Sequence, residues 1–375
     1  MIERVYPGHI SAETAKTIRT IESLKSAPFI GYTGWTGHLN LGDEAAFDGV
    51  KALFGDHRVM SVTLGPSVRV GERVRRRRTP LKALVLGGGT LINQSERWLW
   101  DVEEAVARGI PVFCLGTGVA SEGFWRKHPE AKKGQCLDRW AGLLTEFAFV
   151  GVRGPMSKRT LESVGVSSEI TGDSALALAP DHGPKKDFRG QVGLNVSWGT
   201  DGHIMHGDPE TLVEGLAEGV RILVDSGLNV TVLPMWYEDV PPSRALVARV
   251  GRSGCRYREA FGSTREYMAA IAGNDVFIGQ KLHATIFATM QRIPAIMLEY
   301  RPKCLDFMMS IGMERFSVRT DAVEPQGLAE KVQELVDTRE RIGCELESKV
   351  LFYKEKQMKV AASLESVLME IGPDR

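Results

Sequence analysis

What most constrains this chain is a recurring unit in which a short apolar run meets glycine or a small polar residue and a helical period follows. FIGYTG (29–34) and AFVGVR (148–153) have the length and bounded apolar character of buried strands, and ALVLGGGTLI (83–92) and PVFCLGTGV (111–119) each read as such a strand followed by a loop. GHLNLGDEAAFDGVKALF, WLWDVEEAVARG (98–109) and GPMSKRTLESVG, interleaved with them, carry apolar residues at helical spacing. In the first of these, Asn40 to Asp43 form the predicted cap region. EITGDSALAL (169–178) predicts one more strand, ending at Gly172 and Asp173, and GTGVA (116–120) a glycine loop after its strand. The grammar restarts at QVGLNVSW (191–198) and runs through NVTVLPMW (229–236), DVFIGQ (275–280) and PAIMLEY (294–300), with helices between and helical periodicity from about 326 onward. Strands separated by helices imply mostly parallel sheets, and ligands of such sheets sit beyond the carboxyl ends of the strands. Chemistry is therefore to be sought in the residues just after each strand.

A chain of 375 residues exceeds the size at which one hydrophobic core stops growing, so two domains with a cleft between them are expected. The stretch APDHGPKKDFRG (179–190) loses apolar content and gains proline, glycine and charge, which marks a linker. The predicted organisation is a Rossmann-like domain over 1–180, a linker over 181–190, a second Rossmann-like domain over 191–345 and a helix over 346–375 packing back on the first domain. A further helix is predicted at about 11–26. The halves show no visible sequence repeat.

Lys+Arg and Asp+Glu both number 47, so no global field marks a nucleic-acid binder, and any anion site must be local. Cys114, Cys136, Cys255, Cys304 and Cys344 are scattered without a CxxC pair or metal-ligand spacing, which favours reduced thiols in the cytoplasm. No apolar signal-peptide core is visible near the start, and no segment approaches the ~20 apolar residues that span a bilayer.

Four constellations stand at strand ends. Gly31, Gly34, Gly37, Asn40, Gly42 and Asp43 lie where a strand turns into a helix whose unpaired N–H groups favour an anion; the alternative is a tight turn with a capped helix. Gly88, Gly89 and Thr90 give an open backbone against which a substrate can lie, or a sharp turn. Arg153 follows its strand and can fork onto a carboxylate or phosphate, and Asp173, expected at the same rim, is a candidate base for an acceptor hydroxyl; the alternative pairs the two as a salt bridge. Lys281 and His283 flank Leu282 after DVFIGQ, and in an extended stretch they would face the same side. Tyr300, Arg301 and Lys303 follow the next strand, so Lys281, His283 and Lys303 are expected at one rim, where clustered cations call for an anionic ligand. RVRRRR (73–78) reads as a solvated loop or as contact with anionic lipid headgroups or a diphosphate-linked acceptor. His203 and His206 lack a third ligand at convincing spacing, and no metal is assigned.

GYTGWTGHLNLGDEA, VLGGGTLI, GTGVA, VRGPMSKRTLESVGV with ITGDSALAL, and above all IGQKLHATIFATMQRIPAIMLEYRPKCLDFM resemble, in this order, the polysaccharide pyruvyl transferase family. The resemblance implies two Rossmann-like domains in a glycosyltransferase-B-like arrangement, an active site in the cleft, phosphoenolpyruvate as co-substrate without a further cofactor, and a glycan or lipid-linked saccharide as acceptor. It gives His283 the general-acid role and donor binding to Lys281, Lys303, Arg153 and Tyr300, leaving Asn40, Gly42, Asp43, Gly88, Gly89 and Thr90 to the acceptor. The family's motif usually reads Arg-Leu-His where this chain has Lys281-Leu282-His283; lysine is a point charge, not a planar fork. A nucleotide-sugar glycosyltransferase and a non-catalytic glycan- or anion-binding relative stay open as alternatives.

Overall fold

The computed structural model describes residues 28–55, 57–64, 81–183, 187–198 and 204–370; the helix predicted at 11–26, the basic run 73–78 and His203 lie outside them. The described strands are β1 (Phe29–Thr33), β2 (Val59–Ser61), β3 (Leu81–Leu86), β4 (Thr90–Ile92), β5 (Val112–Val119), β6 (Phe149–Val152), β7 (Glu169–Ile170), β8 (Gln191–Asn195), β9 (Asn229–Val232), β10 (Cys255–Tyr257), β11 (Val276–Gly279), β12 (Ala295–Glu299) and β13 (Ser317–Arg319). The first sheet has the order β2-β1-β3-β5-β6-β7, with β4 beside β5; the second runs β10-β9-β8-β11-β12-β13. Every pairing is parallel. Strand order reverses at β1/β3 in one sheet and at β8/β11 in the other, and such switch points open a crevice at the carboxyl ends of the strands.

Five helices matter for the site: α1 (Leu41–Leu53), α2 (Pro155–Glu162), α3 (Leu282–Met290), α4 (Pro302–Ile311) and α5 (Pro325–Glu370). Asn40 caps α1, its side chain accepting from Gly42 N at 3.2 Å. Pro155 and Pro302 stand in the first turns of α2 and α4, where a missing N–H costs nothing. Every residue of α3 is buried, the state expected of a helix apolar on all sides.

Three local expectations change. Gly116-Thr117-Gly118 does not leave the strand: β5 runs on to Val119, with Gly116 at φ +72° absorbing a register shift between Leu115 and Thr117. The segment after Glu169 pairs for only two residues, and Asp173 instead caps a 3-10 turn, Ser174–Leu178, accepting from Ala175 N at 3.0 Å. Lys281 and His283 do not share an extended stretch, because Leu282 already begins α3; Lys281 is its N-cap residue and His283 lies in its first turn.

The apolar core of the second sheet continues into the first domain through Leu41 and Ala45 of α1 and through Ala175 and Leu176. One side of the domain junction is thus dry core. The 46-residue α5 spans both bodies, with Leu328, Val332 and Val350 in the second core and Ala361 and Leu364 in the first. On the way, Gln357 donates to Thr171 O (2.8 Å) and Asp173 O (2.9 Å), fixing the loop that carries Asp173. Among the described residues no helix is long and apolar enough to cross a membrane.

Candidate active site

The other side of the junction is a cleft of about 380 Å³, lined by residues that follow β1, β3, β5, β6, β9, β11 and β12. Many of the lining residues stand just after a strand, where the sheet grammar leads one to look for a ligand.

At the centre, β11 and β12 pair side by side and hand Lys281, His283 and Lys303 to one wall. The short β11–α3 connection is tied to the end of β8: Lys281 N donates to Asn195 Oδ1 at 3.0 Å, and Gln280 Oε1 accepts from Ser197 N at 2.7 Å. The Lys281 ammonium lies 3.3 Å from buried Asp239 Oδ1 and 4.3 Å from the centre of the Trp236 ring. Asp239 is fixed in turn by Met235 N and Asn195 Nδ2. His283 reaches across the domain boundary, with Nε2 3.7 Å from Asp173 Oδ1, an ion-pair distance too long for a hydrogen bond. The ring fits only because residue 42 is glycine: a Cβ added there would fall 2.3 Å from the imidazole Cγ.

Burial alone would push the Asp173 carboxyl up, but the His283 and Arg153 charges and the Ala175 amide outweigh it and hold the carboxyl below its ordinary range. Asp43 goes the other way. It lines the same cleft, and its burial, aided by the Asp173 charge, raises its carboxyl despite His283, Lys303 and Lys281 nearby. Burial, with Arg301 and Arg153 beside it, brings the Lys303 ammonium down to about 8. Its Nζ lies 5.0 Å from the centre of the Tyr300 ring, whose hydroxyl is raised by burial.

Arg153 is fully buried beneath the Gly89–Thr90 loop. Its Nη1 donates to Gly89 O (3.0 Å) and Nη2 to Thr90 Oγ1 (3.1 Å), while Asp306 Oδ2 of α4 stands 3.8 Å away. Asp306 also accepts from Met156 N, Ser157 N and Ser157 Oγ at the start of α2, so a carboxylate of the second domain caps a helix of the first. Arg153 and Asp173, weighed above as a pair, have different ion partners. Of the glycine-rich residues, Asn40, Asp43, Gly89 and Thr90 line the cleft. Gly88 packs between Ala46 and Ser174 Oγ, leaving no room for a Cβ.

Sequence reasoning missed Asp239, Trp236 and Asp306. PMWYED follows β9, so the strand-end rule could have found Trp236 and Asp239; nothing local points to Asp306. Among the described residues no cluster of three or more His, Cys, Asp or Glu side chains could hold a metal. His206 faces Glu299 at 3.9 Å instead.

The family model described as polysaccharide pyruvyl transferase matches residues 40–302. No curated protein matches the sequence. Among solved structures, a putative UDP-N-acetylglucosamine 2-epimerase from Listeria monocytogenes aligns with a TM-score of 0.56 at 10% identity, covering 92% of this chain and 98% of that one. The UDP-GlcNAc 2-epimerase of Neisseria meningitidis gives 0.56 at 10% identity, covering 92% and 100%. Phytolacca americana UGT2 without ligand gives 0.53 at 13% identity, covering 92% and 100%. These likenesses establish the architecture: two parallel-sheet domains in the glycosyltransferase-B arrangement.

Proposed function

This chain belongs to the polysaccharide pyruvyl transferase family, and on that premise we propose that it moves the pyruvyl group of phosphoenolpyruvate onto two hydroxyls of a saccharide, forming a cyclic ketal and releasing phosphate. The observation that carries the reading is the convergence of Lys281, His283 and Lys303 on one wall of the cleft, with buried Asp173 behind the histidine. This cluster suits a small trianion.

Lys281 and Lys303 hold the carboxylate and phosphate, with the positive charge of Arg153 supporting them from beneath the Gly89–Thr90 loop. Asp173 places a negative charge behind the ring, 3.7 Å from Nε2. Nε2 is turned to Asp173 and closed from solvent, so in this reading the proton is delivered from Nδ1. His283 protonates the donor methylene, giving a methyl group and an oxocarbenium-like carbon that the first hydroxyl attacks as it loses its proton. The second hydroxyl then displaces phosphate, which leaves with the remaining proton. We assign the base role to Asp43 rather than Asp173, because Asp43 lines the cleft and its raised carboxyl is the better proton acceptor. Lysine in place of the usual arginine at 281 fits its surroundings, since an ammonium fills the space between Asp239 and the Trp236 face.

The test is direct. Phosphoenolpyruvate with an acceptor is expected to release inorganic phosphate, and phosphoenolpyruvate is expected to raise the melting temperature. Stabilisation by UDP-sugars and not by phosphoenolpyruvate would move the assignment to a nucleotide-sugar transferase, in keeping with the UDP named for a similar Staphylococcus aureus structure.

A further inference from the structure

Beside Lys281, His283 and Lys303, the cleft has lining residues that the chemistry above leaves unused. Trp35 is 39% exposed, its ring stacked on His38 at 4.1 Å and 18° and meeting the edge of Trp98 at 6.5 Å. The Arg97 guanidinium lies 4.8 Å from the Trp98 ring centre and 5.8 Å from that of Trp35. All three residues line the cleft, and Arg97 forms no ion pair among the described residues. A partly exposed indole lining a cleft offers a flat apolar surface to the C–H face of a sugar ring. A guanidinium resting on aromatic faces, with no carboxylate partner among the described residues, is a preset fork for a carboxylate or phosphate.

We propose that Trp35, Arg97 and Trp98 form an acceptor subsite that takes a sugar ring bearing an anionic group, a carboxylate or a phosphate. The proposal rests on reading the inner cluster as the donor site. The ring then lies on Trp35, its reacting hydroxyls point inward to His283, and its anion points outward to Arg97. The subsite selects charged over neutral acceptors without entering the transfer chemistry.

Binding of methyl glucoside, glucuronic acid, glucose 1-phosphate and UDP-glucose, measured by saturation-transfer NMR with and without saturating phosphoenolpyruvate, tests this. At least one anionic sugar should bind about tenfold more tightly than the neutral glycoside, the worth of one charge-assisted hydrogen bond. Arg97→Ala should abolish that preference while leaving phosphoenolpyruvate affinity within about twofold, and Trp35→Ala should weaken all four sugars alike. Preference for glucuronic acid supports a carboxylate-bearing acceptor; preference for glucose 1-phosphate or UDP-glucose supports a phosphate-bearing one. Equal binding of neutral and charged sugars, a preference that survives Arg97→Ala, or displacement of the charged sugars by phosphoenolpyruvate overturns the proposal. Loss of phosphoenolpyruvate binding with the preference intact would instead sink the donor reading and leave the subsite standing.

Discussion

Each domain brings a strand and the start of a helix to the cleft, and the two do so in opposite styles. In the second domain, β11 passes into α3 through Gln280 and Lys281, and residues 274–301 are buried without interruption. In the first domain, β1 reaches α1 through a loop whose Trp35, Gly37, His38 and Leu39 are exposed, with Leu39 at φ +58°. The first connection is held from within, by Asn195, Ser197 and Asp239 of its own domain. The second is held from within only at its exposed surface, by Gly37 N donating to Glu44 Oε1 at 2.6 Å and by the Thr36–Ser61 hydroxyl pair at 2.7 Å, and is pinned from the other domain by the Trp236 indole N–H donating to His38 O at 2.9 Å. On the proposed function, the difference would separate tasks. A small donor of fixed shape needs charges set by close packing, which transmits little freedom, whereas a larger acceptor is met by surface loops that can vary.

The comparison can be broken at four points. Replacing His283 by Gln on the rigid side should lower turnover by about 10²–10⁴-fold with an unchanged circular-dichroism spectrum; wild-type turnover would remove His283 from the chemistry. Gly42→Ala intrudes on the imidazole itself. It should cost about a hundredfold in kcat by displacing the ring and about 1–3 kcal/mol of stability by overpacking; a fully active variant would mean that the ring need not sit where it does.

The pH dependence of donor binding probes the cations. Lys303 is charged below about 8 and neutral above it, so affinity for phosphoenolpyruvate should be full below that pH and fall above it. The donor KM should rise by up to about tenfold per pH unit there, levelling off once the enzyme with neutral Lys303 carries the residual binding. Lys303→Arg keeps its charge and should shift the break out of range; an identical break would assign it to another group. The smallest effect is expected on the adjustable side. Trp236→Phe retains an aromatic face for Lys281 but loses the bond to His38, so the acceptor KM should rise about two- to tenfold while the donor KM stays put. Equal rises in both would show that the two sides are not separable.

Much of the fold was legible because it is written locally. Central strands such as β3 and β12 are apolar runs ended by a glycine or a charged residue, and α1 announces itself with Asn40. The edge strands β2, β10 and β13 were not foreseen: each has three residues and at least one exposed side chain, too short for any period to show. The bulge at Gly116 escaped because a glycine inside a strand and one ending it look alike in sequence. In the site, strand-end position was enough to nominate Lys281, His283, Lys303 and Asp43. It could not show that Gly88 serves packing while Gly89 lines the cleft, since neighbouring residues can face opposite ways.

By itself, then, the sequence determined the parallel sheets and the residues at their carboxyl ends, because strand period, helix period and glycine punctuation act over a few residues, and the handedness of the connections leaves ligands only one edge. Only the tertiary structure decided which of those residues meet. Asp173 stands behind His283, Gly42 yields its space to the imidazole, and Asp306 caps α2. These meetings follow from burying α1 against α3 and from laying α5 across both domains, and such burial is fixed by non-directional apolar packing between segments far apart in the chain.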